Sequence, residues 1–168
     1  MLKLSEWLDD ELVDAADALL HLRIDDEPEN IDYLERITIP AARGMAEEIT
    51  GSILRRGIYV ETILSGQTLA KGNVERIDSV KANGLSVPFR DELVAGRTLV
   101  VAQQVGPTAV LEVTFEAGYK RENYPPQLRA WLLMVCGFLF RERDLSKESP
   151  KIRSLDFMLT SMTIPNLF

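Results

Sequence analysis

Apolar residues recur at helical spacing in three stretches of the chain and at strand-like density in the region between the second and the third. In the first stretch Asp14 is placed as an N-cap, with Asp17 three residues on and Ala15, Ala18, Leu19 and Leu22 on one side of the helix that follows. Upstream, an additional leading helical turn is expected over residues 4 to 11. The segment Asp25-Asp-Glu-Pro-Glu-Asn30 interrupts the pattern and carries the proline and acidic residues suited to a second helix start. On that helix Ile31, Leu34, Ile37 or Thr38, Ala41, Met45 and Ile49 share one face, and Thr50-Gly51 ends it. Pro40 lies in its middle, and proline removes a backbone donor and clashes with the preceding turn, so a kink near residues 37 to 40 or two shorter helices is expected.

From Gly57 to Phe115 the period changes. Runs at 58–64, 73–77, 85–89, 98–105 and 109–115 are rich in branched and aromatic residues, and Gly66, Gly72, Asn83-Gly84, Gly96 and Gly106-Pro107 punctuate them. They predict a small, mainly antiparallel sheet inserted between helices. The third helix opens at Pro125-Pro126 and closes in Arg141, Glu142, Arg143 and Asp144, with its arginines near the negative end of the helix dipole.

Ten consecutive apolar residues, Trp131 to Phe140, lie on this last helix. The run is too short for a bilayer, which needs about 20 residues. Leu128, Trp131 or Leu132, Val135 and Leu139 form the face expected to meet the core, and Trp131, Met134, Phe138 and Phe140 cannot all join them. Burying each large side chain is worth about 1.5 to 3 kcal/mol, so a surplus of this kind favours association, and those four residues are candidates for a subunit interface. A polar linker, residues 146–150, then leads into an apolar-rich tail from Ile152 to Phe168. The fold class expected is α+β: a core of three main helices, a small antiparallel sheet inserted at about 57–115, and an extended C-terminal tail. Residues 1–144 are read as one domain and 145–168 as linker and tail.

Composition agrees with a soluble globular chain, 46% apolar and 27% charged, and the start shows no conventional secretory signal. The single cysteine, Cys136, has no partner for an internal disulfide and sits within the apolar run, which fits a reducing, cytoplasmic place of synthesis. Charge is uneven: Met1 to Glu35 holds 12 acidic residues against Lys3 and Arg23, and the remaining 133 residues hold 17 basic and 14 acidic ones. That split argues against a broad phosphate-gripping surface. Catalytic chemistry is thin. His21 is the only histidine and reads as a boundary residue, and no phosphate loop, dinucleotide fingerprint or nucleophile elbow occurs. Asp9-Asp10, Asp25-Asp26 and Glu47-Glu48 are sequence neighbours, which face apart on a helix. Arg55-Arg56 and Lys120-Arg121 read as loop residues that solvate the surface, and the four tyrosines show no stacking pattern for single strands. No catalytic residue, cofactor site or metal site is expected.

Four segments in order, Ala18-Leu-Leu-His-Leu-Arg-Ile24 with its acidic turn, Ala46-Glu-Glu-Ile-Thr-Gly51, Val113-Thr-Phe-Glu-Ala-Gly-Tyr119, and the proline-led helix Pro125 to Asp144, resemble the head-tail connector, or adaptor, proteins of long-tailed bacteriophages and prophages. The extended acidic beginning and Pro40 depart from that pattern. The resemblance implies a non-enzymatic virion protein made in the bacterial host cytoplasm and assembled in the neck. It implies a ring, typically of twelve subunits, beneath the portal protein. Such a ring extends the channel for duplex DNA, which passes without sequence-specific binding, and docks the tail or a further neck protein. No membrane is involved. It also implies that the tail reaches toward the portal, which makes Leu155, Phe157, Met158, Leu159, Ile164, Leu167 and Phe168 docking candidates. The alternative is a small cellular α+β enzyme or ligand-binding protein, or another neck or tail-completion component.

Overall fold

A computed structural model describes residues 1–142 and 150–165 and divides the chain into two compact units. One comprises Met1–Asp10, Gly51–Tyr119 and the segment from Ile164 onward; the other comprises Glu11–Thr50 and Lys120–Thr163. The α+β class with antiparallel sheets is as expected, and the elements differ from expectation in four instructive places.

In the strand unit, β1 (Leu2–Trp7), β2 (Gly57–Leu64), β4 (Val74–Ala82), β5 (Leu85–Ser86) and β8 (Val110–Ala117) form a five-stranded antiparallel sheet in the order β1-β2-β8-β4-β5. A second sheet has the order β3-β7-β6, from β3 (Gln67–Thr68), β6 (Phe89–Val94) and β7 (Arg97–Ala102). Alternation along β8 turns Leu111, Val113, Phe115 and Ala117 inward, where they meet Tyr59 and Ile63 of β2, Val80 and Ala82 of β4, and Val100 and Ala102 of β7 in one core. Tyr59 stacks on Phe115 at 6.0 Å, and Trp7 meets Tyr59 edge-on at 6.2 Å.

β1 is the first difference. The turn of helix expected over residues 4–11 is a strand, because the edge of β2 supplies a ladder: Leu2 opposes Glu61 and Leu4 opposes Tyr59, with a bulge between Leu4 and Glu6. A short amphipathic segment takes the conformation its partner completes. The separate strand β6 is the second, since its hairpin to β7 turns at Ala95 (φ 49°) and Gly96 (φ 80°) and alanine is not a turn signal.

In the helical unit, α1 (Ala15–Leu22) begins as expected: the Asp14 carboxylate accepts the Asp17 backbone N–H at 2.7 Å. α2 (Pro28–Tyr33) starts on proline and buries none of its residues, and a π-helical turn (Leu34–Thr38) joins it to α3 (Ile39–Thr50). The π turn is the third difference. It absorbs the defect imposed by Pro40, and its extra residue rotates the buried face by one position, so Leu34, Thr38, Ile39, Ala42, Ala46 and Thr50 are buried where Ala41, Met45 and Ile49 were expected. α4 (Pro126–Glu142) packs against α1, α3 and the π turn. Gly137 permits the close approach of α1: a Cβ there would lie 2.9 Å from Leu22 Cδ2.

The tail is not extended over the described residues that precede Thr163. It forms a short α5 (Pro150–Arg153) and a 3-10 helix (Asp156–Met162) that packs on α3 and α4, with Ile152 and Leu159 buried. Arg143, Asp144 and most of the polar linker lie outside the described residues.

Candidate assembly surfaces

α4 sorts its apolar residues by its 3.6-residue period. Leu128, Trp131, Leu132, Val135, Cys136, Gly137 and Leu139 are buried. Trp131 has no exposed surface at all, so among the four interface candidates it belongs to the subunit's own core. Met134 and Phe138 are half-buried and line one open cleft of about 230 Å³ with Leu22, Gly137 and Leu155, while His21 and Arg141 complete its wall. Phe140 is half-buried too, but its ring meets Tyr33 edge-on at 5.8 Å, a contact inside the helical unit. Burial pushes the Cys136 thiol up to about 12, which leaves it protonated and unreactive.

Of the tail residues, Leu159 is buried, Leu155 and Met158 are half-buried, and Phe157 is 73% exposed. Ile164 is half-buried within the strand unit, and Leu167 and Phe168 lie outside the described residues.

The acidic beginning of the chain does not act as one surface. Glu11 and Glu47 hold Arg43, with Glu11 at 3.0 Å; Asp14 and Asp17 hold Arg121 and Arg129. Among the outward carboxylates, Asp25, Asp26, Glu27, Glu29 and Glu35 cluster on the turn before α2, on α2 itself and at the start of the π turn.

Two charged arrangements in the strand unit escaped the sequence reading. Glu116, 3% exposed on β8, is gripped by Arg56 and by Arg76 of β4 at 3.1 Å, and Arg56 also reaches Glu75 at 3.4 Å. The Arg55 guanidinium lies 4.2 Å from the centre of the Trp7 ring and donates to the Asp9 carbonyl at 3.1 Å. The Arg55-Arg56 pair expected to solvate the surface is therefore tied down, and only strand register, which aligns Arg76 with Glu116, could have revealed it. Glu61, 5% exposed, accepts the Ala70 N–H at 3.1 Å, and burial raises its carboxyl above the usual range. These groups are held by ion pairs and backbone donors. Among the described residues no group of His, Cys, Asp and Glu side chains could hold a metal ion, and no helix is long and apolar enough to cross a membrane.

No family model matches the sequence, and neither does any curated protein. Solved structures do. The whole chain superposes on 97% of a chain in the virion of a native gene transfer agent (GTA) particle, at TM-score 0.76 and 16% identity. The two chains share one fold. The same coverage is found for a chain from the neck of an empty GTA particle computed with C6 symmetry (TM-score 0.71, 15% identity). It is found again for the neck of a native GTA particle computed with C12 symmetry (TM-score 0.65, 16% identity). The shared fold spans both units, the β region between α3 and α4, and the described part of the tail.

Proposed function

We propose that this chain is a non-enzymatic structural subunit of the neck of a phage-like particle, a head-tail connector that forms a ring beneath the portal. The observation that carries the reading is the end-to-end likeness to chains from GTA particles, two of them from necks computed with C6 or C12 symmetry. Within this reading, residues 1–144 act as the connector domain and 145–168 as a linker and docking tail. Neighbouring subunits meet head to tail, the arrangement a closed ring requires, with the Met134 and Phe138 cleft as one half of the contact and Phe140 near its margin. The ring extends the DNA channel and presents a surface to the tail or to a further neck protein. The outward carboxylates from Asp25 to Glu35 suit a surface beside which duplex DNA moves without being held, since phosphates are repelled rather than neutralised. The exposed Phe157, with Leu155 and Met158, would engage the portal, together with Leu167 and Phe168. The chain is made in the host cytoplasm and works in the virion.

Electron microscopy of the purified protein mixed with purified portal rings tests this directly. Added density forming a ring on one face of the portal is expected. A chain that stays monomeric beside intact portal at micromolar concentrations removes the assembly reading.

A further inference from the structure

Three glycines from separate parts of the chain, Gly51, Gly72 and Gly96, surround the side chain of Ile164 in the strand unit. A Cβ at Gly72 would fall inside the Ile164 side chain and lie 2.7 Å from the Gly96 carbonyl oxygen. A Cβ at Gly96 would stand 3.2 Å from Ile164 Cγ1 and Cγ2, and one at Gly51 would stand 3.7 Å from Ile164 Cβ. Gly51 and Gly96 have positive φ, which itself favours glycine, but Gly72 does not. Its missing side chain therefore has a steric reason: the space is occupied by Ile164 and by the Gly96 carbonyl.

The socket wall is built independently of the plug. The Gly72 N–H donates to the Gly51 carbonyl at 2.9 Å, and the Ile53 N–H donates to the Gly72 carbonyl at 3.1 Å. The plug, by contrast, is one side chain: Ile164 is half-buried, and Thr163 and Pro165 on either side of it are exposed. Partial burial of one branched aliphatic group favours the seated state by a factor on the order of ten to a hundred. That is enough to hold a segment and little enough for a partner to displace it.

We propose that Ile164 in its glycine socket is a releasable latch, which fastens the C-terminal segment to the strand unit of the free subunit and is withdrawn when that segment meets its partner. The identity of the partner, the portal, rests on the proposed function; the latch itself rests on the socket.

A nitroxide attached at Pro165→Cys tests it, because Cys136 is buried and protonated and stays unlabelled. In the free chain the label is expected to be immobilised. Ile164→Asp, which leaves the socket wall intact, should raise the mobile fraction at least about tenfold, and Ile164→Ala, which shortens the plug and leaves the same wall, should raise it by a smaller factor. A label already mobile in the parent chain, or spectra unchanged by Ile164→Asp, overturns the latch. With portal rings added, the bound parent chain should lose the socket-held spectrum. Binding with the spectrum unchanged overturns the release. Portal that binds neither form overturns the neck reading instead, and the free-chain spectra still decide the latch.

Discussion

A charge placed at two adjacent positions of α4 should separate the interior of the chain from its proposed assembly surface. Leu139 has no exposed surface, and an aspartate there would be a buried charge without a partner. Such a charge costs about 3 to 5 kcal/mol or more, a large part of the roughly 5 to 15 kcal/mol that holds a typical domain together. Phe138, one residue earlier, lines the open cleft that His21 and Arg141 share. An aspartate at 138 can stay hydrated and lies one helical turn from the Arg141 cation, so its main cost is the lost burial of a half-covered ring. That loss is about 1 to 2 kcal/mol, half or more of the value for full burial. In a ring the order reverses. An aromatic anchor in an interface is commonly worth 2 kcal/mol or more, which corresponds to about 30-fold in affinity for the neighbour. Urea denaturation of each variant gives the stability term, and mass photometry of subunit with portal rings gives the assembly term. Leu139→Asp is expected to be largely unfolded. Phe138→Asp is expected to melt about 2 to 8 °C lower than the parent and to fail to form rings. Two results would refute the reasoning: a Phe138→Asp chain as unfolded as Leu139→Asp, or one that is folded and builds rings at parent concentrations. Phe140→Asp is a poorer probe, because its contact with Tyr33 mixes a folding cost into the result.

Two further predictions concern carboxylates. The Asp17 N–H bond, with Arg121 nearby, holds the Asp14 carboxyl below its usual range, so its stabilising contribution is present above the unfolded value and is lost as pH falls through the lower folded one. Asp14→Ala should cost about 0.5 to 2 kcal/mol at neutral pH, and the difference from the parent in urea midpoints should shrink toward acid; a constant difference between pH 7 and pH 2 would contradict the capping role. Glu61 has the opposite sign. Burial raises its folded value, so its ionised form weakens the native state as pH climbs from the unfolded value through the folded one. Glu61→Gln, which retains an acceptor for the Ala70 N–H, should raise the melting temperature at pH 7 and make little difference near pH 3. A variant that is less stable at pH 7 would show that the carboxylate's charge is needed there.

The proline-led helix, the acidic helix start at Asp14 and the inserted strands were legible because each is written in local chemistry. A cap residue sits beside the N–H it satisfies, proline sits where a helix lacks donors anyway, and branched residues alternate on a pleated surface. The apolar surplus of α4 was legible as a quantity but not as a distribution. Periodicity alone could not tell that Trp131 is closed inside the unit while Met134 and Phe138 line a cleft, since that depends on which neighbouring helices cover which sector. Likewise Leu2–Trp7 became a strand because β2 had a free edge, and Arg56 and Arg76 found Glu116 because strand register aligned them. The face of α3 was misread by one residue because a π turn inserts one, a backbone event with no side-chain signature beyond Pro40.

By itself, then, the sequence determined the α+β class, the starts of its main helices, the absence of familiar catalytic patterns and the likeness to connectors, all of which depend on residues close together in the chain. Tertiary structure decided which apolar groups remain open, which charges neutralise one another and where Ile164 is seated. Those outcomes depend on contacts between residues as far apart as Gly72 and Ile164, and such contacts are set by the packing of the whole fold rather than by any local preference.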